Sequence, residues 1–375
     1  AALLSVNDPA VDAFLTEAIA KGSEFEGRGN YPWLLKSAAA RLGRRAVPRL
    51  LEILREGAVG KDVEGKDFSR YVPGPADWAA RALGPVAGPD AVPGLEKIVL
   101  GKERERAARA LWVTDGMRHK CLEDVLLTAA GQSRDEVVCM RALRRMGERA
   151  SKDVTGRLLD LWPGLKGELR EELLRALAGI WFPDPEWPQP RVPGEASEKQ
   201  LREWEARLRE LVLAAIDDQS EDVRDRAISF AGALKMTETV PMIARRISRE
   251  EPDHVAVTAL GRIGTREAVD LLIECSRAED VYYVVNVIEA LEQARSRRAL
   301  PRLRELLSDL RGARINDYRV CDCAARALNA ILPDGPGFDI EEKISARDRK
   351  IAEWQAHLAS AGIGAGPGSG RRVWL

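Results

Sequence analysis

Residues 256–260 read Ala256-Val257-Thr258-Ala259-Leu260: a small residue, two variable positions, then Ala-Leu. The same core recurs at Ala79 to Ala82-Leu83, Ala107 to Ala110-Leu111, Cys139 to Ala142-Leu143 and Leu173 to Ala176-Leu177. It returns at Phe230 to Ala233-Leu234, Val287 to Ala290-Leu291 and Ala324 to Ala327-Leu328, with Ala38 to Arg41-Leu42 as a degenerate first copy. Aligned on the leucine, the copies come back about every 30 residues with insertions, which is the period of a two-helix repeat. Each unit alone leaves its apolar stripe open, so the leucines from Leu83 to Leu328 are expected to be buried between stacked neighbours.

The residues C-terminal to each leucine repeat as well: a short turn, then a second helix with proline in its first turn. Pro48, Pro93, Pro241 and Pro301 occupy that place, where the missing N–H has no intrahelical acceptor to lose. Gly43, Gly84, Gly147 and Gly264 are expected to close the preceding helices, because a left-handed closing residue favours glycine. In the last such unit Leu300, Leu303, Leu306, Leu307 and Leu310 form an apolar stripe opposite Arg298, Arg302, Glu305 and Asp309. The reading is an all-α fold, an α-solenoid or superhelix of about nine helical hairpins.

These residues resemble the HEAT-repeat family, most closely the short bacterial HEAT-like repeats also found in bilin lyases. The resemblance runs over residues 31–332 and implies a solenoid that offers an extended surface to protein partners. The stretch from Gly337-Phe338-Asp339 to Ile351-Ala352-Glu353-Trp354 is similar to the terminal segment of bacterial HEAT-repeat proteins that are often exported. The resulting division is an N-terminal capping segment over 1–30, repeats over 31–332, a C-terminal capping helix region over 333–361 and a Gly-rich tail over 362–375. Polar and proline-rich insertions interrupt the repeats at 59–75 and 182–196.

Composition excludes several functions. The 58 Lys+Arg against 59 Asp+Glu leave a formal charge of −1, without the net basic surface that releases counterions on nucleic acid. At 31% charged and 45% hydrophobic, the chain holds no run approaching the roughly 20 apolar residues of a membrane span. Five scattered cysteines make no disulfide framework, and Cys321 and Cys323, two apart on one helix, face different ways and cannot chelate one ion alone. Phosphate-binding glycine loops, the nucleophile-elbow pattern and CxxC are all missing. His119, His254 and His357 fall on different units, without the His-Glu pairs carried by metal-binding HEAT-repeat hydroxylases. No enzyme activity, metal or cofactor is expected. A HEAT-like DNA glycosylase, to which Trp112 and Asp115 bear a superficial likeness, and a bilin lyase stand as alternatives. A start at the small residue Ala1 fits the remainder after signal-peptide cleavage, giving an extracytoplasmic or secreted protein, with the cytoplasm as alternative.

Candidate binding residues emerge from exposure and type. Trp181, just before the proline-rich insert, and Trp187, within it, form an arm presented to a partner, or they pack back near Trp204. Tyr282 and Tyr283 open one helix together and cannot both face the core, so the outward one is an anchor. Arg298 and Arg302, in a cluster with Arg295, Arg297 and Arg304, can grip carboxylate or phosphate bidentately. So can Arg141, Arg144, Arg145 and Arg149, although either cluster also reads as a solvated face balanced by Glu148, Glu305 and Asp309. Val373, Trp374 and Leu375 end a glycine-rich tether and are expected to plug an apolar groove on another copy, giving a head-to-tail oligomer or filament. The expected function is a non-enzymatic scaffold that binds a protein partner or itself, with a monomeric adaptor as the alternative.

Overall fold

The computed structural model describes residues 31–57, 61–62, 71–72, 74–116, 120–183, 194–247, 253–312 and 318–363, together with Pro9, Asp12, Ala13 and Glu17. Among them are eighteen α-helices forming nine successive pairs. In the first compact unit, Ala1–Glu205, these are α1 (Tyr31–Leu42) and α2 (Val47–Glu56), then α3 (Pro75–Leu83) and α4 (Val92–Val99). They continue as α5 (Arg104–Trp112) and α6 (Cys121–Gln132), α7 (Glu136–Arg149) and α8 (Thr155–Leu161), and α9 (Glu168–Trp181). The longest helix, α10 (Glu198–Ala215), crosses into the second unit, Ala206–Leu375. Next come α11 (Glu221–Ala233) and α12 (Val240–Ala244), α13 (His254–Ile263) and α14 (Arg266–Cys275). The series closes with α15 (Val281–Ala294) and α16 (Leu300–Leu306), then α17 (Val320–Ile331) and α18 (Ile344–Ser360).

The fold is an α-solenoid of consecutively packed hairpins. First helices stack on first helices: α1 on α3, α3 on α5, α5 on α7 and α7 on α9 in one unit, and α11 on α13, α13 on α15 and α15 on α17 in the other. Second helices such as α2, α4, α6, α14 and α16 lie against the first helix of the next hairpin. All eight leucines of the repeat register are buried, from Leu83 at 0% exposure to Leu234 at 8%. Prolines stand in the first turn of α2, α4, α12 and α16 as expected, each after a 3-10 turn.

The alanine of three Ala-Leu pairs, Ala176, Ala259 and Ala290, has a steric cause. A Cβ placed on Gly261 would lie 2.7 Å from the Cα of Ala290, and one on Gly232 would lie 2.8 Å from the Cα of Ala259. In the first unit Gly147 stands 2.9 Å from the Cα of Ala176 by the same measure, and Gly179 leans back on Gly147. First helices therefore touch backbone to backbone, and only small residues fit the seam. This corrects the expected role of Gly147, which sits inside α7 and not at its end. Gly43 and Gly264 do take the left-handed conformation at φ +56° and +65°, while Gly84 stays right-handed at φ −46°.

Strand structure among the described residues is confined to a two-residue antiparallel ladder in the first insertion, pairing Lys61 with Val72 and Asp62 with Tyr71, and an isolated bridge between Gly312 and Arg319. At the C-terminal end α18 packs on α17, with Ile351, Trp354 and Leu358 buried. Gly335 has no side chain because the Trp354 ring occupies the space a Cβ would need. Two buried carboxylates begin first helices in the same way. Asp77 accepts from the Gly74 N–H at 2.6 Å and pairs with Arg109 at 2.5 Å. Asp322 accepts from the Arg319 N–H at 2.9 Å and from Arg347 at 2.7 Å. Each closes a capping interaction and neutralises an arginine from a later helix, Arg109 on α5 or Arg347 on α18.

Candidate binding surface on the first helices

The position two residues before the register leucine is arginine in four successive hairpins: Arg81, Arg109, Arg141 and Arg175. Because α3, α5, α7 and α9 stack in order, these side chains form a file across one face of the first unit. Their neutralisation is unequal. Arg109 is held by the buried Asp77, and Arg175 by Glu171 at 2.5 Å and Glu172 at 2.8 Å. Arg81 and Arg141 are exposed, and neither has a carboxylate partner among the described residues.

Aromatic rings are set between these cations. The Arg81 guanidinium lies 5.1 Å from the Trp78 ring centre and 5.6 Å from that of Trp112, and Arg109 covers Trp112 at 4.1 Å. Helical spacing does this: Trp78 precedes Arg81 by three residues and Trp112 follows Arg109 by three, which places each pair on one face. Beyond them Arg144 reaches Glu172 at 3.3 Å and Arg145 reaches Glu148 at 3.0 Å. The protein around Arg141 strips part of its water although its tip is exposed. With Arg109, Arg144 and Arg145 adding repulsion, its guanidinium is held below the usual arginine value. The surface is cationic, aromatic and incompletely neutralised, a combination that attracts anionic groups.

The residues singled out from sequence divide differently. Trp181 is packed back on its own unit: its indole N–H donates to Thr155 Oγ1 at 3.2 Å and the Lys152 ammonium lies 4.5 Å from its ring. Trp204 packs against Gly156, the residue adjacent to Thr155. Trp187, Val373, Trp374 and Leu375 lie outside the described residues. Tyr282 is 38% exposed whereas Tyr283 is buried, edge-on to His254 at 6.1 Å. Burial, with Cys275 beside it, pushes the Tyr283 phenol well above the usual range.

The two arginines of the second cluster are occupied by their own chain. Arg298 pairs with Asp270, and Arg302 donates to the Ser276 carbonyl at 2.9 Å and hydroxyl at 2.8 Å, capping the end of α14. They bind one hairpin to the next, and Arg106 reaches further, from α5 across to the Gly57 carbonyl at the end of α2 at 3.0 Å. Asp270 also lines a groove of about 500 Å3 between α12 and α14, with Val240, Pro241 and Leu271 below and Glu267 and Glu274 beside it.

Sequence reasoning passes over Trp78, Arg81 and Arg109. The signal is present as Arg-Ala-Leu in four consecutive copies, masked by the abundance of arginine. Among the described residues no group of three or more His, Cys, Asp or Glu could hold a metal ion. Burial pushes the Cys321 and Cys323 thiols up to about 11, so both are protonated at neutral pH. The Asp115 side chain lies outside the described residues, as does His119. None of the described helices is long and apolar enough to cross a membrane.

Stacked hairpins with an open lateral face define a repeat scaffold of the protein-interaction class. The family model of HEAT repeats matches residues 208–284 and 250–316 of the chain. Among solved structures, the X-ray structure of YibA from Escherichia coli is 13% identical, covering 77% of this chain and 97% of its own, with a TM-score of 0.41. A crystal structure of an engineered protein is 15% identical, covering 96% of this chain and 97% of its own, with a TM-score of 0.34. Among curated proteins none matches the chain.

Proposed function

We propose that this chain is a non-enzymatic scaffold that binds a protein partner through the face of α3, α5 and α7. One observation carries the reading. Arg81 and Arg141 are exposed and without a carboxylate partner among the described residues, and Trp78 on α3 and Trp112 on α5 lie beside the Arg81 guanidinium. Arginine and tryptophan are the residue types that dominate binding energy at protein interfaces. Other arginines are spent on the chain's own carboxylates and helix ends, as Arg298, Arg302 and Arg106 are. Arg134, Arg262 and Arg297 are exposed as well, so what marks this face is the placement of Arg81 beside the rings of Trp78 and Trp112.

The test is selection of displayed random peptides on the intact chain, with affinity then measured on an Arg81→Ser/Arg141→Ser variant whose circular dichroism matches wild type. Enriched peptides that lose at least tenfold affinity on the variant support the reading. Enrichment of none, or binding that the variant leaves unchanged, overturns it. Head-to-tail association through Val373, Trp374 and Leu375 belongs to the same scaffold reading and is tested separately, by deleting the tail.

A further inference from the structure

The groove between α12 and α14 is open because α12 spans only five residues against ten for α14, and so covers part of its neighbour's flank. On α14, Glu267, Leu271 and Glu274 follow at intervals of four and three residues, which sets them on one face. Leu271 with Val240, Pro241 and Ala244 of α12 makes an apolar floor, and the glutamates stand one turn to either side of Leu271. Asp270 is paired with Arg298, whereas Glu274 faces Arg277 at 3.8 Å with both side chains exposed. Glu267 is exposed and has no ion pair or hydrogen bond among the described residues. Such a groove suits a segment that carries cations beside bulky apolar groups. Its volume of about 500 Å3 falls in the range of about 300–1,000 Å3 that encloses a compact ligand.

This chain contains a segment of that kind. After Ile363 come seven residues, Gly364 to Gly370, four of them glycine, and then Arg371-Arg372-Val373-Trp374-Leu375. Two cations lead three apolar residues, matching two glutamates beside an apolar floor. Tryptophan is a residue type that anchors interfaces when it fills a pocket.

The path of the chain favours a second copy as the donor. Arg302 points from α16 toward α14, where it donates to Ser276. Arg304, two residues on and so nearly on the opposite side of α16, donates to the Ile363 carbonyl. The tail therefore starts on the side of α16 turned away from α14, and to fill its own groove it would have to pass both helices. With packed helices about 8–10 Å apart, that path is about 16–20 Å in a straight line and longer over the side chains. The glycine-rich spacer reaches about 13–16 Å on average. A neighbouring molecule imposes no such path.

Resting on the self-association part of the proposed function, we infer that the groove between α12 and α14 of one copy receives residues 371–375 of a second copy. Arg371 and Arg372 pair with Glu267 and Glu274, and Val373, Trp374 and Leu375 cover Val240, Pro241 and Leu271. Groove and tail are different surfaces, so the contact is heterologous and leaves a free groove at one end of an assembly and a free tail at the other.

Two variants with wild-type circular dichroism test this by sedimentation velocity. Glu267→Lys/Glu274→Lys keeps the tail and spoils the groove; a chain lacking residues 371–375 keeps the groove. Each alone is expected to sediment as a monomer and an equimolar mixture as a dimer, because one intact tail meets one intact groove. Adding Arg371→Glu/Arg372→Glu to the lysine variant should restore association. A mixture that stays monomeric overturns the inference. If the shortened chain is monomeric but the lysine variant still associates, the tail seats elsewhere: the inference fails and self-association through the tail stands. A monomeric wild type overturns both, and a fluorescein-labelled peptide of residues 370–375 then shows what the groove takes. Peptide bound by the shortened chain through Glu267 and Glu274 but excluded by wild type assigns the groove to the chain's own tail. Peptide bound equally by both assigns it to a basic, apolar segment of another protein.

Discussion

Gly261 of α13 rests on Ala290 of α15, so closely that a methyl group on the glycine would stand 2.7 Å from the alanine's Cα and carbonyl oxygen and 2.8 Å from its Cβ. Glycine normally weakens a helix, by about 1 kcal/mol relative to alanine. At this position its lack of a side chain lets two helix backbones meet, and the contact closes over Leu260 and Leu291, both fully buried.

Replacing Gly261 by alanine should therefore reverse the usual effect of the substitution. The gain in helix propensity is offset by backbone displacement along the seam, and overpacking of this kind costs about 1–3 kcal/mol. The urea midpoint of Gly261→Ala should fall below wild type. Gly312→Ala, at a position with open space around the missing side chain, should leave it unchanged. A midpoint raised by Gly261→Ala would mean that the helices are not in contact there.

Asp322 is fully buried and holds Arg347 at 2.7 Å and Arg319 at 2.9 Å. Removing the acid strands the Arg347 guanidinium on α18, while Arg319 keeps Asp348 at 2.7 Å. Asp322→Ala is expected to cost about 3–5 kcal/mol. Adding Arg347→Met to the variant should recover part of the loss, because the stranded charge goes with it. Chemical denaturation of the two single variants and the double variant gives the coupling, and additive losses would show that the pair is not coupled.

Asp135 caps α7, accepting from the Val137 N–H at 3.0 Å, and pairs with Arg104 at 2.5 Å. The Arg104 guanidinium holds its carboxyl below the ordinary aspartate value of 3.8. A depressed carboxylate contributes stability that is present above the unfolded value and lost as pH falls through the folded one. Asparagine keeps the cap but has no charge to titrate. The wild-type denaturation midpoint should exceed that of Asp135→Asn at pH 7, and the difference should close as pH drops below 3.8. A gap that persists at lower pH would place the effect in packing and not in charge.

Deleting residues 371–375 tests the expected role of Val373, Trp374 and Leu375 in self-association. Sedimentation of the shortened chain should shift toward monomer while the helical circular-dichroism signal stays the same. An identical sedimentation profile for both chains would exclude the tail as the link.

How much of the fold and of the binding face is legible in sequence depends on whether a feature is local or shared between hairpins. Leu83, Leu177 and Leu291 declare themselves through a period that a helix imposes on its own residues. Proline in the first turn of α2 or α16 does so for the same reason. Gly147 reads as a helix end in sequence because its true role is set by Ala176, a hairpin away. Arg298 and Arg302 look open because Asp270 and Ser276, their partners, lie on the preceding hairpin. Arg81 escapes notice, and Arg141 is named only as one of a cluster, for the converse reason: Arg-Ala-Leu is plain in the chain, but which copies lack a carboxylate is decided only when the helices stack. Exposure of Tyr282 and burial of Tyr283 are fixed as alternatives by adjacency, and the choice comes from the position of His254.

The backbone seam also bears on how such an array can lengthen. Hairpin α13–α14 presents Gly261 to the helix after it and Ala259 to the glycine of the helix before it. A tandem copy would meet itself with matching halves, glycine against alanine. The next hairpin receives through Ala290, but on its other side it grips Arg326 with Glu289 at 3.0 Å and Glu292 at 2.9 Å. A second copy of that hairpin would face Glu289 and Glu292 with Glu289 where Arg326 belongs, carboxylate against carboxylate. Among the described residues, growth by duplication is thus open at residues 254–280 and obstructed immediately beyond them.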